Sequence, residues 1–182
     1  MSKIKIIIII LIILLIGIAG FLSYMGIFYT PVPSEKMTGP YTFVYEEFIG
    51  DYKKTGPVFD KVYKSLQDEG IKTTRALGIY FDNPAETPED KLRSHCGIII
   101  EENDLNKVPK LKSKYKVGHI GQHDSVVVEF PIKNSLSYMI GPMKCYPVIV
   151  KHAKEKGYKM TTAFELYDQP AERILYIMKI IK

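Results

Sequence analysis

Phe164-Glu165-Leu166-Tyr167 places a carboxylate and a phenol at a spacing that could do chemistry. Residues two apart on a β-strand share a face. In a strand, Glu165 and Tyr167 therefore project together, while Phe164 and Leu166 point the other way into a core. A carboxylate at the base of an aromatic-lined cleft loses hydration, which raises its pKa and strengthens its attraction for a cation or an acidic proton. Aromatic faces add cation–π attraction of about 0.5–2 kcal/mol. Tyr45, Tyr80, Tyr138 and Tyr167 are the candidate walls, so the predicted ligand-binding set is Glu165, Tyr167, Tyr80, Tyr45 and Tyr138. If the site catalyses, Glu165 is its general acid or base and a phenol such as Tyr167 its proton donor. The residues alone also fit a plainer reading, in which Glu165 is a solvated edge-strand charge and the tyrosines are ordinary half-buried strand residues.

Other candidates are weaker. Glu47 and Glu129 fall on predicted strands, where surface placement is expected. His119 and His123 are four apart, but Gly121 between them marks a loop, so helical metal spacing does not apply; His95 and His152 stand alone. With no Gly-rich phosphate loop, no Gly-x-Ser-x-Gly elbow and no Cys/His pair of known spacing, neither a metal nor a cofactor is expected. Cys96 and Cys145 match no Cys-x-x-Cys motif and read as two buried thiols, a single disulfide being the alternative. Setting aside Lys3 and Lys5, the remaining 23 of 25 basic residues face 20 acidic ones. That mixed surface, lacking an arginine-rich or aromatic-interleaved stripe, argues against a nucleic-acid partner.

The elements that must position Glu165 are written twice in the chain. Gly70-Ile-Lys-Thr-Thr-Arg-Ala-Leu-Gly-Ile-Tyr80 and Gly157-Tyr-Lys-Met-Thr-Thr-Ala-Phe-Glu-Leu-Tyr167 share Gly, Lys, Thr, Ala and Tyr in register over eleven positions. Gly56-Pro57 and Gly141-Pro142 precede them, and Pro84-Ala85-Glu86 and Pro170-Ala171-Glu172 follow. A repeat of this kind sets the architecture. In each copy a β-rich run (Thr42 to Phe48; Ser125 to Phe130) leads to a helix opened by Gly-Pro, with proline at the first helical position. The helical stripes are Val58, Phe59, Val62, Tyr63, Leu66 and Met143, Tyr146, Ile149, Val150, Ala153. Gly70 and Gly157 end the helices. Two strands follow each: Arg75 to Asp82 with Leu92 to Glu101, and Thr162 to Asp168 with Ile174 to Ile181. Thr87-Pro88-Glu89-Asp90 predicts one short helical turn. The fold class is α+β, a duplicated strand–helix–strand–strand unit of SHS2 type with a cleft where the halves meet. Aligning Tyr80 with Tyr167 sets Gly78 opposite Glu165.

Ahead of this domain, Ile6 to Tyr29 carries no charge. A bilayer-spanning helix needs about 20 apolar residues, and a secretory signal, with an apolar core of about 7–15 residues, is the alternative. The expected organisation is an anchor over 1–29, a proline-bearing linker over 30–37 and one domain over 38–182, with repeats at about 41–102 and 115–182. The lipid bilayer is the expected partner of the first segment. Lys3, Lys5 and the amino terminus flank the run on one side, so the charge bias sets the domain outside or in a lumen.

The doubled unit resembles the GyrI-like small-molecule-binding domains, which also form effector-binding halves of some bacterial transcription regulators. Leu77 to Pro84 (LGIYFDNP), with Pro88, Asp90-Lys91 and Cys96-Gly97, is similar to a narrower branch. That branch holds membrane-anchored bacterial proteins and an animal testis-expressed receptor for autophagy of the endoplasmic reticulum. The resemblance implies that Glu165 is the cleft glutamate meeting a small, largely apolar ligand, cationic or polar at one end. The alternatives it implies are an adaptor working through a protein partner and a glutamate-dependent hydrolase. It also implies a cytosolic domain, against the charge bias. The animal receptor's acidic tail and docking motif have no counterpart before Lys182, and Tyr29–Val32, Tyr41–Val44 and Tyr63–Leu66 fall beside the span or within predicted elements.

Overall fold

The computed structural model describes residues 3–182. Met1 and Ser2, part of the expected anchor, and the amino terminus invoked for its orientation lie outside the described residues. The chain opens with α1 (Lys3–Tyr24), a 22-residue helix of Ile and Leu with no residue buried. It is long and apolar enough to cross a membrane, a test that a signal sequence also passes.

The rest forms one antiparallel sheet of eight strands: β1 (Pro33–Thr38), β2 (Tyr41–Ile49), β3 (Arg75–Tyr80), β4 (Arg93–Ile99), β5 (Lys116–Ile120), β6 (His123–Pro131), β7 (Lys159–Asp168) and β8 (Arg173–Ile181). Its order is β1-β6-β8-β7-β3-β4-β2-β5. On either side of the central β7–β3 pair the order runs alike, with β8 then β6 on one side and β4 then β2 on the other. Helix α2 (Gly56–Asp68) crosses one half, α4 (Ser137–Glu155) the other, and a short α3 (Val108–Lys112) leads into β5.

Both faces of the sheet are apolar, for different reasons. Toward the helices, Val44, Ile98 and Ile100 meet Val62 and Leu66 of α2, while Val126, Val128, Phe130 and Tyr176 meet Ile140, Cys145 and Ile149 of α4. On the opposite face Phe43, Leu77, Phe164, Leu166 and Ile177 form a core with no helix over it. The sheet covers this face by curling into a half-barrel. Tyr41 of β2 lies 5.9 Å from Phe164 of β7, three strands away in the sheet order. In a flat sheet with strands about 4.8 Å apart those rings could not meet.

Departures from the sequence reading have local causes. The expected linker takes in all of β1 but Thr38, and that strand pairs with β6 from Pro33↔Val128 to Thr38↔His123. Proline at the first residue of an edge strand withholds no ladder donor. Helix α4 starts at Ser137, a turn before Gly141-Pro142. The Asn134 side chain accepts the Leu136 N–H, and the Ser137 hydroxyl accepts those of Lys133 and Asn134, which organises that extra turn. Gly141 is then an interior glycine rather than a helix opener, because a Cβ there would overlap the Tyr176 hydroxyl. The predicted stripe shifts accordingly: Ile140, Cys145, Ile149 and Ala153 are buried, whereas Met143 is exposed. Strand β5 went unread; it pairs with β2, so the segment from 116 to 120 belongs to the first half of the sheet. Gly70 and Gly157 both end their helices at φ +71°.

Candidate functional site

Strands β3 and β7 pair so that Gly78 faces Glu165 and Ala76 faces Tyr167. Glu165 and Tyr167 thus stand at the middle of the sheet, on the face toward the helices. Phe164 and Leu166 point into the curled core, as strand alternation requires.

The Glu165 carboxylate is 4 % exposed and has no ion-pair partner among the described residues. Two phenols hold it: Tyr167 donates to Oε2 at 2.8 Å and Tyr146, from α4, donates to Oε1 at 3.1 Å. The Tyr80 hydroxyl lies 2.7 Å from that of Tyr167. While Glu165 is ionised the Tyr167 proton is committed to it, so Tyr80 must donate to Tyr167. The result is a relay from Tyr80 through Tyr167 to the carboxylate. Gly78 makes the relay sterically feasible, since a Cβ there would stand 2.8 Å from the Tyr80 ring. Without it the ring lies back along its own strand toward Tyr167.

More aromatic rings enclose the group. Tyr138 sits 5.8 Å from Tyr167 and accepts the Gln169 amide at 2.8 Å. Phe59 of α2 meets Tyr167 edge-on at 5.6 Å, and Tyr52 meets Tyr80 at 4.8 Å. Tyr176 lies 5.5 Å from Tyr146, with its own hydroxyl buried and unpartnered. A cavity of about 350 Å³ adjoins this cluster, lined in part by Phe59, Tyr63, Arg75, Ala76 and Gln169.

Burial raises the Glu165 pKa to about 7, against the opposing pull of the Tyr167 and Tyr146 hydrogen bonds. The same burial, reinforced by the Glu165 charge, drives Tyr80, Tyr146, Tyr167 and Tyr176 upward, so all four stay protonated. The arrangement can exchange a proton near neutral pH, and when ionised it offers a dry negative charge ringed by π faces.

Of the residues read from sequence, Glu165, Tyr167, Tyr80 and Tyr138 come together. Tyr45 does not. It projects from β2 on the opposite face of the sheet, stacked on His95 at 4.4 Å. Two strands separate β2 from β7, and the alternation of β2 turns Val44 rather than Tyr45 toward the helices. Glu47 pairs with Lys116 at 2.9 Å, and Glu129 with Arg173 at 3.0 Å, both at the surface. His119 bonds Thr42, and His123 bonds Thr38 and the Gly121 carbonyl. No group of three or more His, Cys, Asp or Glu able to hold a metal occurs among the described residues. Cys96 and Cys145 are buried free thiols. The sequence reading missed Tyr146, Tyr52 and Gln169 as members of the site. Tyr146 was visible only as one position of an apolar helical stripe.

No protein-family model matches the chain. Among curated proteins it is similar to the mouse (Mus musculus) testis-expressed protein 264 homolog, with 25% identity over 134 residues, 70% of this chain but 42% of that protein. The chain thus corresponds to less than half the length of that relative. It is also similar to the DNA gyrase inhibitor of Escherichia fergusonii, with 22% identity over 125 residues, 60% of this chain and 81% of the inhibitor. Among solved structures, the crystal structure of the EcmrR C-terminal domain matches with TM-score 0.55 and 14% identity, covering 84% of this chain and 98% of that one. EcmrR in its DNA complex matches with TM-score 0.63 and 15% identity, over 99% of this chain and 69% of that one. Weak sequence similarity and shared topology agree: the chain has a GyrI-like fold, the one seen in the EcmrR C-terminal domain.

Proposed function

We propose that this chain is a membrane-anchored GyrI-like domain that binds a small, largely apolar molecule carrying a cationic group. The Glu165 carboxylate carries this reading: it is buried and, among the described residues, has no ion-pair partner and is held by phenols. An isolated charge in such a place is costly unless something opposes it. A lipophilic cation supplies the missing charge, and the surrounding rings supply cation–π contacts. The two halves, each with its long helix and four strands, read as an ancient duplication of a strand–helix–strand–strand unit whose seam is the β3–β7 pair. α1 reads as the anchor, with Lys3 and Lys5 on the inner side and the domain outside or in a lumen.

The test is calorimetric titration of the full chain in lipid nanodiscs with octyltrimethylammonium, tetramethylammonium and octanol at pH 8. Saturable binding of octyltrimethylammonium that is lost in Glu165→Gln is expected, with tetramethylammonium and octanol far weaker. Equal binding by wild type and Glu165→Gln would remove Glu165 from the site. No binding at all would favour an adaptor that works through a protein partner, the reading for which similarity to testis-expressed protein 264 speaks.

A further inference from the structure

The end of α1 does not lead into a free tether. Its last turn and the residues after it are fastened to the approach and first turns of α4. The Asn134 side-chain amide donates to the Tyr24 carbonyl at 3.0 Å, and the Lys144 ammonium donates to the Tyr29 carbonyl at 2.8 Å. Tyr29 packs edge-on against Phe130 at 5.2 Å, and Gly26 is buried beneath the same ring. From Tyr24 to Tyr29 the chain leaves α1, and over that stretch its partners move from Asn134 to Lys144. The exiting chain therefore runs alongside α4 from that helix's N-terminal end, which makes the start of α4 its end nearest the tip of α1.

That end has the chemistry of a bilayer interface. Met139 and Met143, four residues apart and so on one helical face, are 50% and 75% exposed, and Tyr138 beside them is 40% exposed. Phe28, in the exiting segment, is 62% exposed. From Pro131 to Lys144 there is no Asp or Glu, while Lys133 and Lys144 are basic. Apolar side chains on one face together with basic ones suit a helix lying against anionic headgroups. Tyr138 is also the half-exposed ring touching Tyr167, so the same turn joins this surface to the Glu165 site.

We infer that the first turns of α4 lie in the headgroup layer of the membrane that α1 crosses, and that the Glu165 site is loaded from that layer past Tyr138. Its ligands are amphiphiles that concentrate in the interface, with cationic head and apolar body already oriented there. This rests on the anchor and on the Glu165 reading, and the experiment separates the three. The chain has no tryptophan, so Met139→Trp, Phe21→Trp and Tyr63→Trp each create a single reporter on α4, α1 and α2 respectively. Each full-length variant is placed in phosphatidylcholine–phosphatidylglycerol vesicles with or without chain-brominated lipid. A blue-shifted, strongly quenched Met139→Trp beside an unquenched Tyr63→Trp is expected. Quenching of Phe21→Trp with water-like emission from Met139→Trp would overturn the inference and leave the anchor standing. Loss of quenching at both positions would overturn both. In the second arm, Met139→Glu/Met143→Glu should slow octyltrimethylammonium association several-fold in vesicles and leave its dissociation rate unchanged. Unchanged association would overturn loading from the interface. If wild type fails to bind the probe, the Glu165 reading and the loading route fall, while the quenching arm still decides where α4 sits.

Discussion

Replacing Glu165 by glutamine should make the protein more stable at pH 8 and should do little at pH 4.5. A carboxyl lifted from its ordinary 4.5 to about 7 by burial keeps its proton in the folded state over a range where the unfolded chain has lost it. Folding is therefore favoured at the acid end of that window. The advantage disappears as pH rises from about 4.5 to about 7, and above 7 the full cost of holding a buried carboxylate remains. At 1.36 kcal/mol for each tenfold change in proton affinity, this shift corresponds to about 3 kcal/mol. Glu165 is fully enclosed, so solvent screening does not reduce the figure. For a chain of this size it is worth roughly 6–12 °C in Tm. The assay is urea or thermal unfolding of the full chain in nanodiscs between pH 4.5 and 8.5, for wild type and Glu165→Gln. Subtracting the two curves removes the contributions of every other carboxylate. The difference should grow in favour of the variant with rising pH and level off above 7. A difference curve that is flat, or that grows in favour of wild type, would refute the claim that Glu165 is buried without a compensating charge.

Tyr167→Phe removes the closer donor to that carboxylate and should cost about 1.5–3 kcal/mol at pH 8, the range for hydrogen bonds to charged groups. The cost should shrink at pH 5, where Glu165 is neutral; an equal cost at both pH values in denaturant unfolding would count against the relay. Gly141→Ala drives a methyl into the buried Tyr176 hydroxyl, and overpacking of this kind costs about 1–3 kcal/mol. Gly141→Ala/Tyr176→Phe should recover part of that loss in the same assay. Burial pushes the thiols of Cys96 and Cys145 up to about 11 and about 12, so iodoacetamide at pH 8 should label neither until the protein is unfolded, as mass spectrometry would show.

Much of the sheet was legible because its signals are local. Alternation in β7 predicted which way Glu165 and Tyr167 turn, and the two glycines at φ +71° mark the helix ends that the repeat implied. Aligning the repeats makes Gly78 and Glu165 equivalent positions but says nothing of pairing; that they are cross-strand partners comes from the sheet alone. What stayed hidden depends on neighbours far away in the chain. Tyr45 has the composition of a cleft wall, but β2 turns it to the other face, which no residue near it declares. Tyr146 looked like one more apolar helix position because its partner lies 19 residues on. β1 and β5 are short edge strands that exist only through β6 and β2. The extra turn of α4 comes from Asn134 and Ser137 side chains outside the hydrophobic pattern.

The Gly78–Glu165 pair also fixes a number. Offsetting the first half by 87 residues carries Gly78 onto Glu165, and the reverse shift carries Glu165 back onto Gly78. The two positions that the halves contribute to the seam are therefore next to each other, and one location serves both. A second carboxylate at position 78 would stand directly across the ladder from the first and would occupy the space now taken by the Tyr80 ring. Two acids so close could not both ionise in a dry setting. A sheet whose strand order is twofold in outline thus holds a single buried carboxylate at its centre, and the ligand proposed for it would saturate at one per chain rather than two.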